Sequence, residues 1–115
     1  MKMRPEIKQK FLEALRGGQY RKCKSVLKNN DSFCASGVLC DLHAQDTGGK
    51  WVYDTYLNQA AVAPGIVHEW AGFGAEEYPT LVATVGRNTF PRGLESLNDN
   101  GLTFLQIADL IEQQW

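Results

Sequence analysis

Apolar positions along the chain recur at two different spacings, and the changes between them divide it into elements. Ile7, Phe11, Leu12 and Leu15 follow the three-and-four spacing of one helix face. Pro5 suits a first helical position, where a missing N–H costs nothing, and Gly17-Gly18 marks the stop. From Lys22 to Leu27 the period changes to two. Cys23, Ser25 and Leu27 then lie on one face of a predicted strand, with Lys22, Lys24 and Val26 on the other. Asn29-Asn30-Asp31 reads as a turn, and Ser32-Phe33-Cys34 as the returning arm of a hairpin. Ser36 reads as the N-cap of a second helix, with Ala35, Val38, Leu39 and Leu42 at core spacing and Gly48-Gly49 as its end. Trp51, Tyr53, Thr55 and Leu57 alternate with Asp54 and Asn58, predicting a strand on which Tyr56 points away from Trp51 and Tyr53.

A short helix is predicted from Pro64 to Gly72 with Ile66, Val67 and Trp70 inward. Strands follow at Leu81 to Val85 and near Asn88 to Phe90. Leu94 and Leu97 sit on a short helix that Asn98-Asp99-Asn100-Gly101 terminates. Thr103 then caps the last helix, Gln106 completes a capping box, and Leu102 and Ile107 form a hydrophobic staple. Phe104, Ile107, Ala108, Ile111 and Trp115 share its apolar face. This order predicts one small α+β domain: a short antiparallel sheet packed with about four to five helices.

Composition agrees with a single core: 115 residues, 43% hydrophobic and 22% charged, lie within the ordinary globular range. The longest nearly uncharged run, Val52 to Val67, is broken by Asp54, Asn58, Gln59, Pro64 and Gly65, so no membrane association is expected. The charged first residues show no apolar signal core, and a cytoplasmic location follows as the expectation. Three cysteines, an odd number, argue for reduced thiols rather than a disulfide framework. The net charge of −1 conceals an asymmetry: residues 1–28 carry nine Lys or Arg against two Glu, and the remainder is correspondingly acidic. Such a division steers an acidic partner or draws two parts of one fold together.

Three constellations have chemical content. Cys34, Cys40 and His43, joined by Cys23, are zinc-type ligands, but the spacing of Cys34 and Cys40 is not a tight knuckle and core cysteines are the simpler reading. Cys40, His43 and Asp46 suggest a thiol nucleophile and base. On one helix, however, Cys40 and Asp46 stand about 9 Å apart along the axis, and no oxyanion hole is evident, so no catalytic residue and no cofactor are assigned. Tyr20, Arg21, Lys22, Lys24 and Lys28 offer charges for phosphates and a ring for stacking, although lysines on an edge strand also guard against aggregation. A pI near 6.1 is low for a dedicated nucleic-acid domain. Among the aromatics Trp51, Tyr53, Tyr56, Trp70, Phe73 and Tyr78, most are expected in the core. Tyr56, facing the other way, is the candidate for a protein-binding patch or small pocket. Trp115 needs cover, from the first helix or from a second copy of the chain.

Three segments resemble a known group. Phe11-Leu-Glu-Ala-Leu-Arg-Gly-Gly-Gln-Tyr20, Phe33-Cys-Ala-Ser-Gly-Val-Leu-Cys-Asp-Leu42 and Leu97-Asn-Asp-Asn-Gly-Leu-Thr-Phe-Leu-Gln-Ile-Ala-Asp-Leu-Ile-Glu112 are similar to small hypothetical proteins of tailed phages, prophages and their bacterial hosts. Gly37-Val-Leu-Cys-Asp-Leu42 is the most specific string. The resemblance implies a phage or mobile-element origin and carries no catalytic residues. The expected function is that of a non-enzymatic accessory protein in the host cytoplasm, monomer or homodimer. It would bind a host protein or a small signalling ligand, with countering host defence as one expected role. Nucleic-acid binding through the basic strand, or a small zinc or thiol site, are the alternatives.

Overall fold

The computed structural model describes residues 2–74 and 76–115. The described residues form helices α1 (Pro5–Arg16), α2 (Ala35–Thr47), α3 (Gly65–Ala71), α4 (Leu94–Asp99) and α5 (Phe104–Gln114). The strands are β1 (Arg21–Lys22), β2 (Lys28–Asn29), β3 (Ser32–Phe33), β4 (Trp51–Val52), β5 (Thr55–Tyr56), β6 (Leu81–Val85) and β7 (Asn88–Arg92). The α+β class is as expected, but the strands make three small sheets instead of one. In the first, β3 pairs antiparallel with β2 and parallel with β1; β4·β5 and β6·β7 are separate antiparallel hairpins.

The helices surround one core in which Phe11, Val38, Val67, Leu81, Leu97, Ile107 and Ile111 are fully buried. Each such side chain contributes about 1.5–3 kcal/mol through removal of apolar area from water. The long helices end as their sequences dictate. Gly48 closes α2 in the left-handed conformation, and the Thr103–Gln106 capping box opens α5 with both of its hydrogen bonds formed. Basic α1 runs antiparallel to acidic α5. Lys8 Nζ donates to the carbonyls of Glu112 and Trp115, and Arg16 reaches Asp109 at 2.8 Å and Glu112 at 3.0 Å. Part of the charge asymmetry is thus met within the fold, through Arg16 and, further on, Lys28 with Asp54.

Several expectations are corrected. The strand predicted from Lys22 to Leu27 is only two residues long, because Ser25 turns the chain with φ 71° and Leu27 is buried at the next crossing. The N-cap of α2 is Cys34, whose Sγ accepts from Gly37 N at 3.3 Å, and Ser36 lies inside the first turn. In α3 the buried residues are Val67, His68 and Ala71, whereas Ile66 is 55% exposed. Trp115 is covered by its own chain: its indole donates to Thr80 O at 2.9 Å and its ring meets Phe73 at 4.9 Å.

Asn98, fully buried, joins three elements. Its Oδ1 accepts from Ala35 N at the start of α2, its Nδ2 donates to Cys23 O, and its carbonyl accepts from Lys22 Nζ. The charge asymmetry gave no hint of this residue, which is recognisable in the sequence only as a helix terminator.

His43 and His68 are buried, and burial lowers the pKa of each below 6.5, with a nearby carboxylate opposing the shift: Asp46 for His43 and Glu95 for His68. A histidine that binds its proton more weakly when folded leaves stability full above about pH 6.5 and loses it as pH falls. Thermal melts between pH 7.5 and 5 are expected to show a falling midpoint below about pH 6.5, and His68→Gln to flatten that fall. A wild-type midpoint constant across this window would show that both rings take up protons freely in the folded chain.

Candidate functional site

Alternation between Trp51 and Leu57 predicts a single strand, but the chain folds there into two successive tight turns. β4 and β5 pair Trp51 with Tyr56 and Val52 with Thr55, leaving Tyr53-Asp54 as a two-residue loop. Tyr56 N and O then bond Gln59 O and N, closing a second loop at Leu57-Asn58. The expectation that Tyr56 faces away from Trp51 is therefore overturned: residues paired across a hairpin share a face. Tyr56 is fully buried, and Tyr53 is the exposed ring, at 91%.

The inward face is held by a chain of aromatic contacts. Tyr20 meets Phe33 edge-on at 5.1 Å, Phe33 meets Trp51 at 5.8 Å, and Trp51 meets Tyr56 at 5.0 Å. His43 lies edge-on to both Tyr56 and Trp70. Polar anchors fix the rings. Asp41 accepts from the Tyr20 hydroxyl at 2.5 Å, from Trp51 Nε1 at 3.1 Å and from Gln45 at 3.0 Å. The Tyr56 hydroxyl lies 2.5 Å from His43 Nδ1. Burial raises the phenol pKa of Tyr56 and lowers that of His43, so a neutral phenol hydrogen-bonds a neutral imidazole. Burial and the Asp41 carboxylate likewise raise the Tyr20 phenol pKa. Asp54 ties the exposed turn to the neighbouring hairpin, accepting from Asn30 N at 3.1 Å and Lys28 Nζ at 3.5 Å. Lys28 also stands 5.8 Å from the Phe33 ring centroid and 5.9 Å from that of Trp51.

Outward, this rigid base presents Val52, Tyr53, Leu57 and Val62, at 63%, 91%, 46% and 41% exposure. Tyr53 and Leu57 have φ of 53° and 50°. Left-handed backbone is usual for Gly or Asn and unusual for bulky side chains, at a cost of order 1–3 kcal/mol per residue. The first position of a two-residue hairpin turn with positive φ ordinarily takes glycine, asparagine or aspartate.

Of the residues singled out from the sequence, Tyr20, Lys28 and Tyr56 converge on this site as its supports. Arg21 and Lys24 are exposed elsewhere, while Lys22 is occupied by Asn98 O. Lys22, Lys24 and Lys28 do not share a strand face, because β1 and β2 are separate strands. The Cys34, Cys40 and His43 set is also divided. Cys34 caps α2, Cys40 is buried in the core, and His43 is engaged by Tyr56. Burial pushes the Cys34 thiol up to about 12 and raises Cys40 as well, away from the thiolate that metal binding or attack requires. Asp46 accepts from Trp70 Nε1 at 2.8 Å. No group of three or more His, Cys, Asp or Glu among the described residues is placed to hold a metal ion. Sequence reasoning missed Tyr53; its signal was Trp51 and Tyr56 five apart around an Asp-containing pair, the spacing of a two-residue hairpin.

Beside Tyr20, a cleft of about 350 Å³ opens between α1 and α2, lined by Lys10, Glu13, Gln19, Gln45 and Asp46. No helix among the described residues is long and apolar enough to cross a membrane. The chain belongs to the family described as Domain of unknown function (DUF8296), whose model matches residues 3–115. No curated protein and no solved structure matches it.

Proposed function

We propose that this member of the DUF8296 family is a non-enzymatic accessory protein of phage type. It binds a host protein through the double turn at residues 52–62. The observation that supports this reading is the coincidence at Tyr53 and Leu57 of left-handed backbone with exposed apolar side chains. Folding stability alone favours glycine or asparagine at both positions, and at Tyr53, 91% exposed, the side chain brings almost no burial in return. Recognition gives both features a purpose. A tyrosine contributes large, stiff contact area, and anchors of this kind carry most of the energy in protein interfaces. The aromatic base beneath them reduces the ordering cost of binding. A second reading, capture of a small ligand, draws on the cleft beside Tyr20, whose volume lies at the lower end of the range for small-molecule sites.

The test exploits the conflict between stability and binding. Tyr53→Gly and Leu57→Asn are expected to keep or raise the thermal midpoint, since each relieves a left-handed side chain. Each is expected to weaken capture of the partner at least about tenfold, equivalent to about 1.4 kcal/mol. Affinity capture from host lysate identifies the partner, and calorimetry with the purified pair measures the effect. Recovery of no stoichiometric partner, or equal affinity for wild type and the double variant, would refute this reading.

A further inference from the structure

A different surface shows what it binds by the group already seated on it. In the β6·β7 hairpin, Val85 pairs with Asn88 around a two-residue turn, so hydrogen-bonded and open pairs alternate from there. Val82↔Pro91 and Thr84↔Thr89 fall in the open class, and the backbone groups of these four residues face outward from the hairpin. The two outer edges are closed in different ways. On β7, Pro91 has no N–H to offer, which is a permanent block. On β6, the block is a side chain: Gln114 Oε1 accepts from Val82 N at 2.7 Å, and Gln114 Nε2 donates to Val82 O at 2.8 Å. A primary amide that gives and takes one bond each is chemically a peptide group, placed where the next strand of a sheet would lie.

We infer that the outer edge of β6 accepts an extended peptide segment of a partner, and that Gln114 is a displaceable stand-in for its backbone. Thr84, two residues on, presents its N–H and C=O in the same direction, and its exposed hydroxyl bonds Thr89 at 2.7 Å. Between this edge and α5 lies a cleft of about 280 Å³ lined by Ala83, Leu102 and Leu110, with Gln106 and Asp109 at its rim. An added strand places the side chain opposite Ala83 in that cleft. Backbone pairing supplies the affinity and an apolar side chain the selectivity. Only a side-chain rotation of Gln114 is needed to free Val82, whereas Pro91 has no N–H to offer on β7 whatever moves.

The probe is a capped peptide of alternating valine and serine with a lysine at each end, titrated into isotopically labelled protein and followed by amide NMR. Shifts are expected at Val82, Thr84 and the Gln114 side-chain amide, with binding at least ten times tighter in Gln114→Ala. The same peptide, N-methylated at the amides that would face β6, is expected not to bind. Saturable binding that ignores N-methylation, shifts confined to other surfaces, or no binding to either protein would overturn the proposal. So would a Gln114→Ala protein that pairs with its own copies and takes no peptide, since Gln114 would then serve only against self-association.

Discussion

Gly37→Ala is expected to destabilise the folded chain by about 3 kcal/mol or more, at the upper end of what overpacking a core costs. Gly37 lies in the first turn of α2, and a Cβ built there runs into the backbone carbonyl of Leu27. That carbonyl cannot withdraw, because it accepts from Cys34 N at 3.0 Å while Leu27 N donates to Ala60 O at 2.7 Å. Leu27 itself is fully buried. The close approach lets α2 lie against the β2–β3 hairpin, and a methyl group would push the helix off it. Thermal melts are expected to show a fall of about 10 °C or more for a domain of this size. A midpoint within about 2 °C of wild type would mean that the helix shifts freely and the contact is incidental. The Gly37-Val-Leu-Cys-Asp-Leu42 string thus has a structural account: closeness at Gly37, burial at Val38, Leu39 and Cys40, and anchoring of Tyr20 and Trp51 by Asp41.

Tyr56→Ala is expected to cost about 3–5 kcal/mol, the range for removing a large buried ring. Tyr56→Phe, which keeps the ring, is expected to cost about 1–2 kcal/mol by removing the short hydrogen bond to His43 Nδ1 and leaving only the longer one to Thr47 at 3.4 Å. The two substitutions separate packing from hydrogen bonding at one position, and urea unfolding measures both. Equal losses would mean that the hydroxyl carries the whole effect; a loss below about 1 kcal/mol for Tyr56→Ala would refute the packed hairpin base. Since Tyr56 supports the turn that carries Tyr53, Tyr56→Phe is expected to retain partner binding and Tyr56→Ala to abolish it.

Local physics made α1, α2 and α5 readable in the sequence. Their apolar spacing, the glycine stops and the Thr103–Gln106 box act within one or two turns of chain and need no distant partner. Strand β6 was legible for the same reason, since Leu81, Ala83 and Val85 alternate, whereas its pairing with β7 came only from the structure. Two-residue strands carry too few positions for a period to register, so β1, β4 and β5 were merged into longer elements. At Tyr53 and Leu57 the observed backbone opposes residue preference, so turn composition does not mark them and only the spacing of Trp51 and Tyr56 points to the first turn. Contacts between distant residues decided the rest. Asn98 was a helix terminator in sequence and became the tie between β1, α2 and α4; the cysteines were possible ligands and became a cap and core filling. Sequence by itself determined the helices, the α+β class and the charge division between residues 1–28 and the rest of the chain. Tertiary structure decided which ring faces solvent, because a hairpin one residue shorter or longer exchanges its faces, and only the packing of Tyr56 beneath Trp51 and His43 selects the register.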